Sequence, residues 1–357
     1  MNADGVTTDV DGVATEGDGI EIGTIRTTIP ARLDRLPWSR WHWLIVIGLG
    51  TAWILDGLEV NVVGAISSRI SEPGAGVGIS AAQVSGWAAS LYIGGACVGA
   101  LLFGELTDRF GRKRLFMITL TIYLLGTLLT SVSFSSGWFF VVRFITGMGI
   151  GGEYSAINSA IDELIPKHHR GRVDVSINGS YWLGGIGGSL LAVLMLNTSI
   201  FPTNLGWRLS FVLGAVIGLA VLLVRRNVPE SPRWLFIHGR EQEAEKIVKD
   251  IEERVERDTG QPLPEPEGEP LTIRQRRAIP LRMIIATLVK RYPRRTVLGL
   301  SLFVGQAFLY NSILFGFGNL VTLYFHTPSG NVPYYLAIFG AGNLAGALLL
   351  SPLFDIV

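Results

Sequence analysis

Eight stretches of this chain are apolar over about twenty residues or more, approximately 43–67, 85–106, 115–134, 138–162, 176–197, 207–225, 296–324 and 333–355. A hydrocarbon core about 30 Å thick is crossed by roughly 20 helical residues, so each stretch is long enough to be a membrane-spanning helix. The expected fold is therefore all-α, a polytopic membrane bundle. Composition points the same way: 357 residues that are 48% hydrophobic and only 17% charged do not describe two soluble domains. The single cysteine, Cys97, lies in an apolar segment, which leaves neither an intrachain disulfide nor a multi-cysteine metal site.

Charge is segregated along the chain, and the net value of +1 conceals it. Lys and Arg accumulate on the cytoplasmic side of membrane proteins. Of the 30 here, 27 fall on one side if the eight spans alternate in direction; Arg69 and Arg208 fall on the other and Arg143 lies inside a span. The N-terminus is expected to be cytoplasmic. The organisation expected is a disordered N-terminus (1–42), a six-helix bundle (43–225), a charged cytoplasmic loop with amphipathic helices (226–295) and the start of a second bundle (296–357). The acidic stretch 2–19 has almost no large apolar residue and none of the pattern of a secretory signal. In 239–260, Ile247, Val248, Ile251 and Val255 recur at helical spacing, which fits either a solvated helix or one packed beneath the bundle. The stretch 261–270 is Pro-rich and reads as a flexible linker.

An internal repeat links 95-GACVGALLFGELTD-108 to 342-GNLAGALLLSPLFD-355 at an offset of 247 residues. By that symmetry the second half would need roughly four further spans, and the chain reads as a fragment that would not transport alone.

The stretch 143-RFITGMGIGGE-153 satisfies G-x-G-x-x-G, with Asp174 at the distance of a ribose ligand. A dinucleotide cradle needs a soluble strand before its glycines, whereas 138–162 reads as one apolar helix. A dehydrogenase is thus a false reading, and glycines at 147, 149, 151, 152, 184, 185, 187 and 188 are expected to allow close helix contact.

Four motifs resemble a known family. The loop 104-GELTDRFGRKR-114 is similar to the G-x-x-x-D-R-x-G-R-K signature of the major facilitator superfamily. Arg143 followed by spaced glycines, 163-ELIPKHHRG-171 and 229-PESPRWL-235 resemble motifs of its sugar-porter-like branch. The resemblance runs from about Trp41 to the end of the chain. It implies a secondary transporter working by alternating access in the plasma membrane, with Asp108, Arg109, Arg112, Glu163, Arg170, Glu230 and Arg233 as cytoplasmic gate charges. Each of these could also be a charge that only sets topology.

Ionisable groups inside a membrane usually face a cavity or a partner. Asp56, Glu59, Arg143 and Glu153 are the four here, and they are the proton-coupling candidates. Counting about 1.5 Å per residue, Asp56 lies roughly 16 Å, Arg143 roughly 8 Å and Glu153 roughly 22 Å from the outer ends of their helices. Asp56 also corresponds to the aspartate that proton-coupled sugar porters pair with the arginine of span four, so an Asp56–Arg143 pair is expected. Glu59, one turn away, is a second proton site or a substrate ligand. Glu153 is more similar to the G-G-E stretch of metabolite–proton symporters.

Substrate-binding candidates are Asn61, Tyr154, Asn158, Tyr181, Trp182, Gln306, Tyr310 and Asn311. Gln306 and Asn311 keep the five-residue spacing of the family's Q-Q-x-x-G-x-N motif, although Gly305 and Leu309 depart from it. Span five lacks the Gly-Pro pair of drug–proton antiporters, which favours symport or uniport. No Walker motif, catalytic triad or zinc spacing is present. No cofactor, no metal and no enzyme activity are expected; the coupling ion is expected to be the proton, and the partners a small organic solute (sugar, polyol, or organic acid or aromatic metabolite) and a lipid bilayer, with no nucleic acid and the protein a monomer. A non-transporting membrane sensor on the same scaffold is the alternative.

Overall fold

The computed structural model describes residues 21–225, 229–266, 270–276 and 281–355. Each of the eight apolar stretches lies on a helix. The chain begins with strand β1 (Glu21–Thr27) and short helix α1 (Ile29–Asp34), followed by α2 (Arg40–Ile66). A π-helical turn (Gln83–Ala88) leads into α3 (Ala89–Phe110), then come α4 (Arg112–Ser131), α5 (Ser136–Leu164), α6 (Arg170–Met195) and α7 (Thr203–Arg225). The connection that follows holds α8 (Pro232–Ile237), α9 (Glu241–Thr259), strand β2 (Leu271–Arg276) and α10 (Leu281–Arg291). The last two helices are α11 (Pro293–Phe325) and α12 (Val332–Leu350).

Local chemistry sets the ends of these helices. Ser135 Oγ accepts a bond from Trp138 N and caps α5, which stops before Pro166 because a residue preceding proline is driven out of the helical region. Gly111 turns the chain from α3 into α4 with φ +95°, and a Cβ there would lie 2.7 Å from Glu230 Oε2. Gly260 ends α9 in the left-handed conformation.

Among the described residues, six helices are long and apolar enough to cross a membrane by composition alone: α2, α3 with its π turn, α4, α7, α11 and α12. Helices α5 and α6 span 29 and 26 residues and are also long enough.

Glycine decides how closely these helices approach. Added Cβ atoms at Gly95 and Gly99 of α3 would overlap the Phe144 and Met148 carbonyls of α5; at Gly147 and Gly151 they would overlap Tyr92 and Ala96 in return. The same interlock joins α2 to α6 through Gly57, Gly184 and Gly188. The fingerprint glycines are therefore contact residues, as small residues at membrane helix interfaces usually are. Gly187 is the exception, since a Cβ there would meet nothing within 4 Å.

At the charged end one expectation is corrected and one open alternative is decided. Residues 21–42 are not disordered: β1 pairs antiparallel with β2, and Ile29 and Leu33 of α1 are buried in a cluster with Trp41, Ile161, Trp234 and Val248. The stretch 2–19 lies outside the described residues. Helix α9 buries Ala244, Val248, Ile251 and Val255, so it packs beneath the bundle rather than standing in solvent. The Pro-rich stretch after it is partly tied down, because Arg35 Nη1 donates to Pro264 O at 2.5 Å.

Candidate functional site

The polar centre of the bundle is built from α2, α3, α4 and α5. Asp56 and Glu59 are both 2% exposed and Arg143 is 1% exposed. The expected Asp56–Arg143 ion pair does not form. Arg143 Nη1 donates instead to Glu59 Oε1. Axial register explains the correction. Glu59 and Arg143 each lie seven residues from the outer end of their helix, about 10 Å, whereas Asp56 lies three residues, about 4.5 Å, deeper.

Asp56 is held by two tyrosines. Tyr92 Oη of α3 donates to Oδ1 at 2.9 Å, and Tyr154 Oη of α5 donates to Oδ2. The Tyr92 ring also lies under the guanidinium of Arg143, 4.4 Å from Cζ to the ring centroid. One aromatic side chain thus connects the two carboxylates, giving a cation–π contact to one pair and a hydrogen bond to the other. On the far side of Glu59, Thr127 Oγ1 lies 2.5 Å from Oε2. These contacts offset the cost of burying charge, which would otherwise amount to several kcal/mol per ion.

Tyr92 and Thr127 were not foreseen from the sequence. A signal for the second exists: Thr119, Tyr123 and Thr127 are spaced by four along α4, are all buried, and form a polar stripe inside an apolar helix. Glu153 is buried too, at 1% exposure, but it lies ten residues beyond Arg143 on α5, about 15 Å away, and does not join this cluster.

Beside Asp56 the bundle is lined with aromatic rings. Trp53 of α2 stacks on Tyr154, with centroids 4.5 Å apart and planes 14° off parallel. Tyr181 and Trp182 of α6 meet Tyr310 of α11 edge-to-face at 6.4 and 6.0 Å, and Trp182 meets Phe339 of α12 at 5.4 Å. Four of the eight substrate candidates, Tyr154, Tyr181, Trp182 and Tyr310, are therefore brought into this region. Asn61 is buried and donates back to Gly57 O at 2.8 Å, leaving Oδ1 without a donor. Trp53 Nε1 and Arg143 Nη2 are likewise buried without a hydrogen-bond partner among the described residues. The remaining three candidates do not join. Gln306 and Asn158 are exposed, and Asn311 Nδ2 is used by Ala307 O of its own helix. Neither amide of the substituted sugar motif on α11 meets one of these rings among the described contacts.

At the charged end, Arg112 pairs with Glu163, and Glu163 also accepts from Ser231 Oγ. Glu230 accepts from the backbone N of Arg112 at 2.9 Å and of Lys113 at 3.2 Å, so it caps α4. Arg170 pairs with Asp34 of α1 at 2.9 Å, and Arg109 pairs with Glu105 on its own helix at 2.5 Å. Asp108 and Arg233 make no ion pair within 4 Å among the described residues; Asp108 contributes its carbonyl, which accepts from Trp234 Nε1 at 2.8 Å. The gate candidates thus converge on the junction of α3, α4, α5 and α8, but not as one continuous relay.

The comparisons with known proteins agree with this architecture. The family model for "Sugar (and other) transporter" matches residues 42–355. The niacin transporter NiaP of Acinetobacter baylyi is 31% identical over 222 residues, covering 62% of this chain and 48% of that protein. The putative metabolite transport protein YdjK of Escherichia coli is 33% identical over 243 residues, covering 66% and 50%. The chain spans about half the length of the curated relatives it matches. Among solved structures, the proton:xylose symporter XylE bound to 6-bromo-6-deoxy-D-glucose superposes with a TM-score of 0.65 at 19% identity, covering 87% of this chain and 68% of that one. That likeness establishes the fold. With the family model matched over nearly the whole chain, the protein belongs to the sugar (and other) transporter family of the major facilitator superfamily, a family of membrane transporters and not of enzymes.

Proposed function

We propose that this protein works in proton-coupled symport of a small, planar organic solute, an aromatic or heteroaromatic carboxylate being the best fit. The observation that carries the reading is Tyr154, whose hydroxyl is bound to Asp56 while its ring stacks on Trp53. A solute that enters the aromatic region displaces or reorients this ring and so changes the hydrogen bonding of a buried carboxyl. Losing a hydrogen bond to the ionised form favours protonation. Rings offer stacking faces to a flat solute, and Trp53 Nε1 and Asn61 Oδ1 remain as a free donor and acceptor. Relatives named as niacin transporters support this choice over a sugar. The charged end carrying α9 is the cytoplasmic one, by the distribution of Lys and Arg; the membrane is the plasma membrane and the protein is a monomer.

Proton linkage tests the reading. Nicotinate is titrated calorimetrically in buffers of different ionisation enthalpy, and binding is expected with net proton uptake that Asp56→Asn removes. Xylose binding in place of nicotinate would overturn the substrate class. Unchanged proton uptake in Asp56→Asn would overturn the coupling role. Uptake itself is measured on a form extended to the full length of the relatives.

A further inference from the structure

A second cavity, remote from the polar centre, lies where α9 crosses the start of α2. It measures about 670 Å³. Trp41, Leu44 and Gly48 of α2 form one wall; Asp250, Glu253, Arg254 and Arg257 of α9 form the other. Helix α2 is 27 residues long, about 40 Å, roughly 10 Å more than a hydrocarbon core, so its first turns reach the headgroup layer. The junction is fixed by the buried face of α9 and by Trp41 N, which donates to Asp258 Oδ2 at 3.1 Å.

The two walls differ in chemistry. Leu44 is 62% exposed on the apolar side. Opposite it, positions 250, 253, 254 and 257 recur at helical spacing and carry two acids and two arginines. Among the described residues neither Asp250 nor Arg254 has a hydrogen-bond or ion-pair partner, while Arg257 Nε donates only to the Glu253 carbonyl at 3.1 Å. A cavity at headgroup depth with a greasy wall and a charged wall of zero net charge is complementary to a zwitterionic amphiphile.

We infer that this cavity binds a membrane phospholipid with a primary ammonium headgroup, of the phosphatidylethanolamine type. Its phosphate is taken by Arg254 and Arg257, its ammonium by Asp250, and its glycerol and upper acyl carbons lie along Trp41, Leu44 and Gly48. Glu253 already meets Lys249 Nζ at 3.9 Å, so a purely anionic headgroup would leave Asp250 facing the phosphate, and a quaternary choline has no N–H to donate to it. By holding α9 to α2, the lipid would brace the charged end of the bundle.

The experiment is lipid retention. The protein is stripped in detergent, re-equilibrated with vesicles of phosphatidylethanolamine, phosphatidylcholine and phosphatidylglycerol in equal parts, and weighed by native mass spectrometry. Ethanolamine lipid should be retained preferentially, and the double variant Arg254→Gln/Arg257→Gln should lose it about tenfold, the effect of one charge-assisted hydrogen bond. Asp250→Lys should shift the preference to the glycerol lipid, which keeps the test decisive if the double variant fails to fold. Equal retention of the three lipids, or unchanged preference in Asp250→Lys, would overturn the assignment. None of these readouts depends on solute or proton coupling.

Discussion

Arg143 and Arg32 each hold a glutamate, in surroundings that differ in almost every respect. Arg143 meets Glu59 deep between α5 and α2, both nearly inaccessible, with Tyr92 against the guanidinium and Thr127 against the carboxylate. Arg32 meets Glu252 and Glu245 at 2.6 Å where α1 crosses α9, and Arg35 shares Glu252. The inner pair has no water to replace a lost partner; the outer one does. Identical pairing chemistry therefore makes the inner pair a point of commitment for the bundle and the outer one an adjustable clasp.

The contrast can be broken most sharply at the inner pair. Glu59→Leu alone leaves Arg143 buried and uncompensated, and should cost about 3–5 kcal/mol in thermal unfolding; Glu59→Leu with Arg143→Leu should recover much of it. Equal losses in the single and double variants would show that the pair is not the unit. Next in size is the glycine interlock that holds α5, which carries Arg143, against α3. Gly147→Leu drives a side chain into the Tyr92 carbonyl and should cost about 1–3 kcal/mol, while Gly187→Leu, which faces open space, should cost almost nothing. Denaturation midpoints of the two variants give the comparison directly.

Between the extremes stands Arg112–Glu163, with side chains 18% and 6% exposed. Arg112→Gln should cost about 1–2 kcal/mol and loosen α8, seen as faster amide exchange around Ser231. The smallest effect belongs to the outer clasp. Burial raises the pKa of Glu252, but hydrogen bonds and charge from Arg32 and Arg35 outweigh it and leave the pKa below the ordinary 4.5. A carboxylate with a depressed folded pKa contributes stability above its unfolded value and loses it as pH falls through the folded one. The clasp should therefore weaken below about pH 4.5, by no more than about 1 kcal/mol, and protease access to residues 28–36 should rise there. In Glu252→Gln that access should be raised already at pH 7 and respond less to acid.

The helices themselves were legible because the signal is one of length and polarity, and neither depends on neighbours. The glycine contacts were legible for a related reason: a missing side chain permits close approach wherever the partner lies. The partner of Arg143 was not legible. Asp56 and Glu59 sit three residues apart on one face of α2, so periodicity leaves both available, and the resemblance pointed to the wrong one. Gln306 and Asn311 kept a familiar spacing on α11, yet spacing says nothing about what an amide meets: Gln306 is exposed and Asn311 bonds back to Ala307 of its own helix. Residues 21–42 misled differently. Their burial comes from α9, more than 200 residues away, and a short segment carries no local mark of a distant cover.

What the sequence determined by itself was the presence and approximate extent of the membrane-length helices, most of the sites of close approach, and the presence of four ionisable groups inside them. Those properties follow from composition summed along one helix. The tertiary structure alone decided that Glu59 and not Asp56 meets Arg143, that Tyr92 and Tyr154 join Asp56 to an aromatic region, and that α9 closes a cavity against α2. Each of these depends on the axial register and rotation between helices, set by how backbones settle against one another at their glycines, and no spacing within a single helix encodes it.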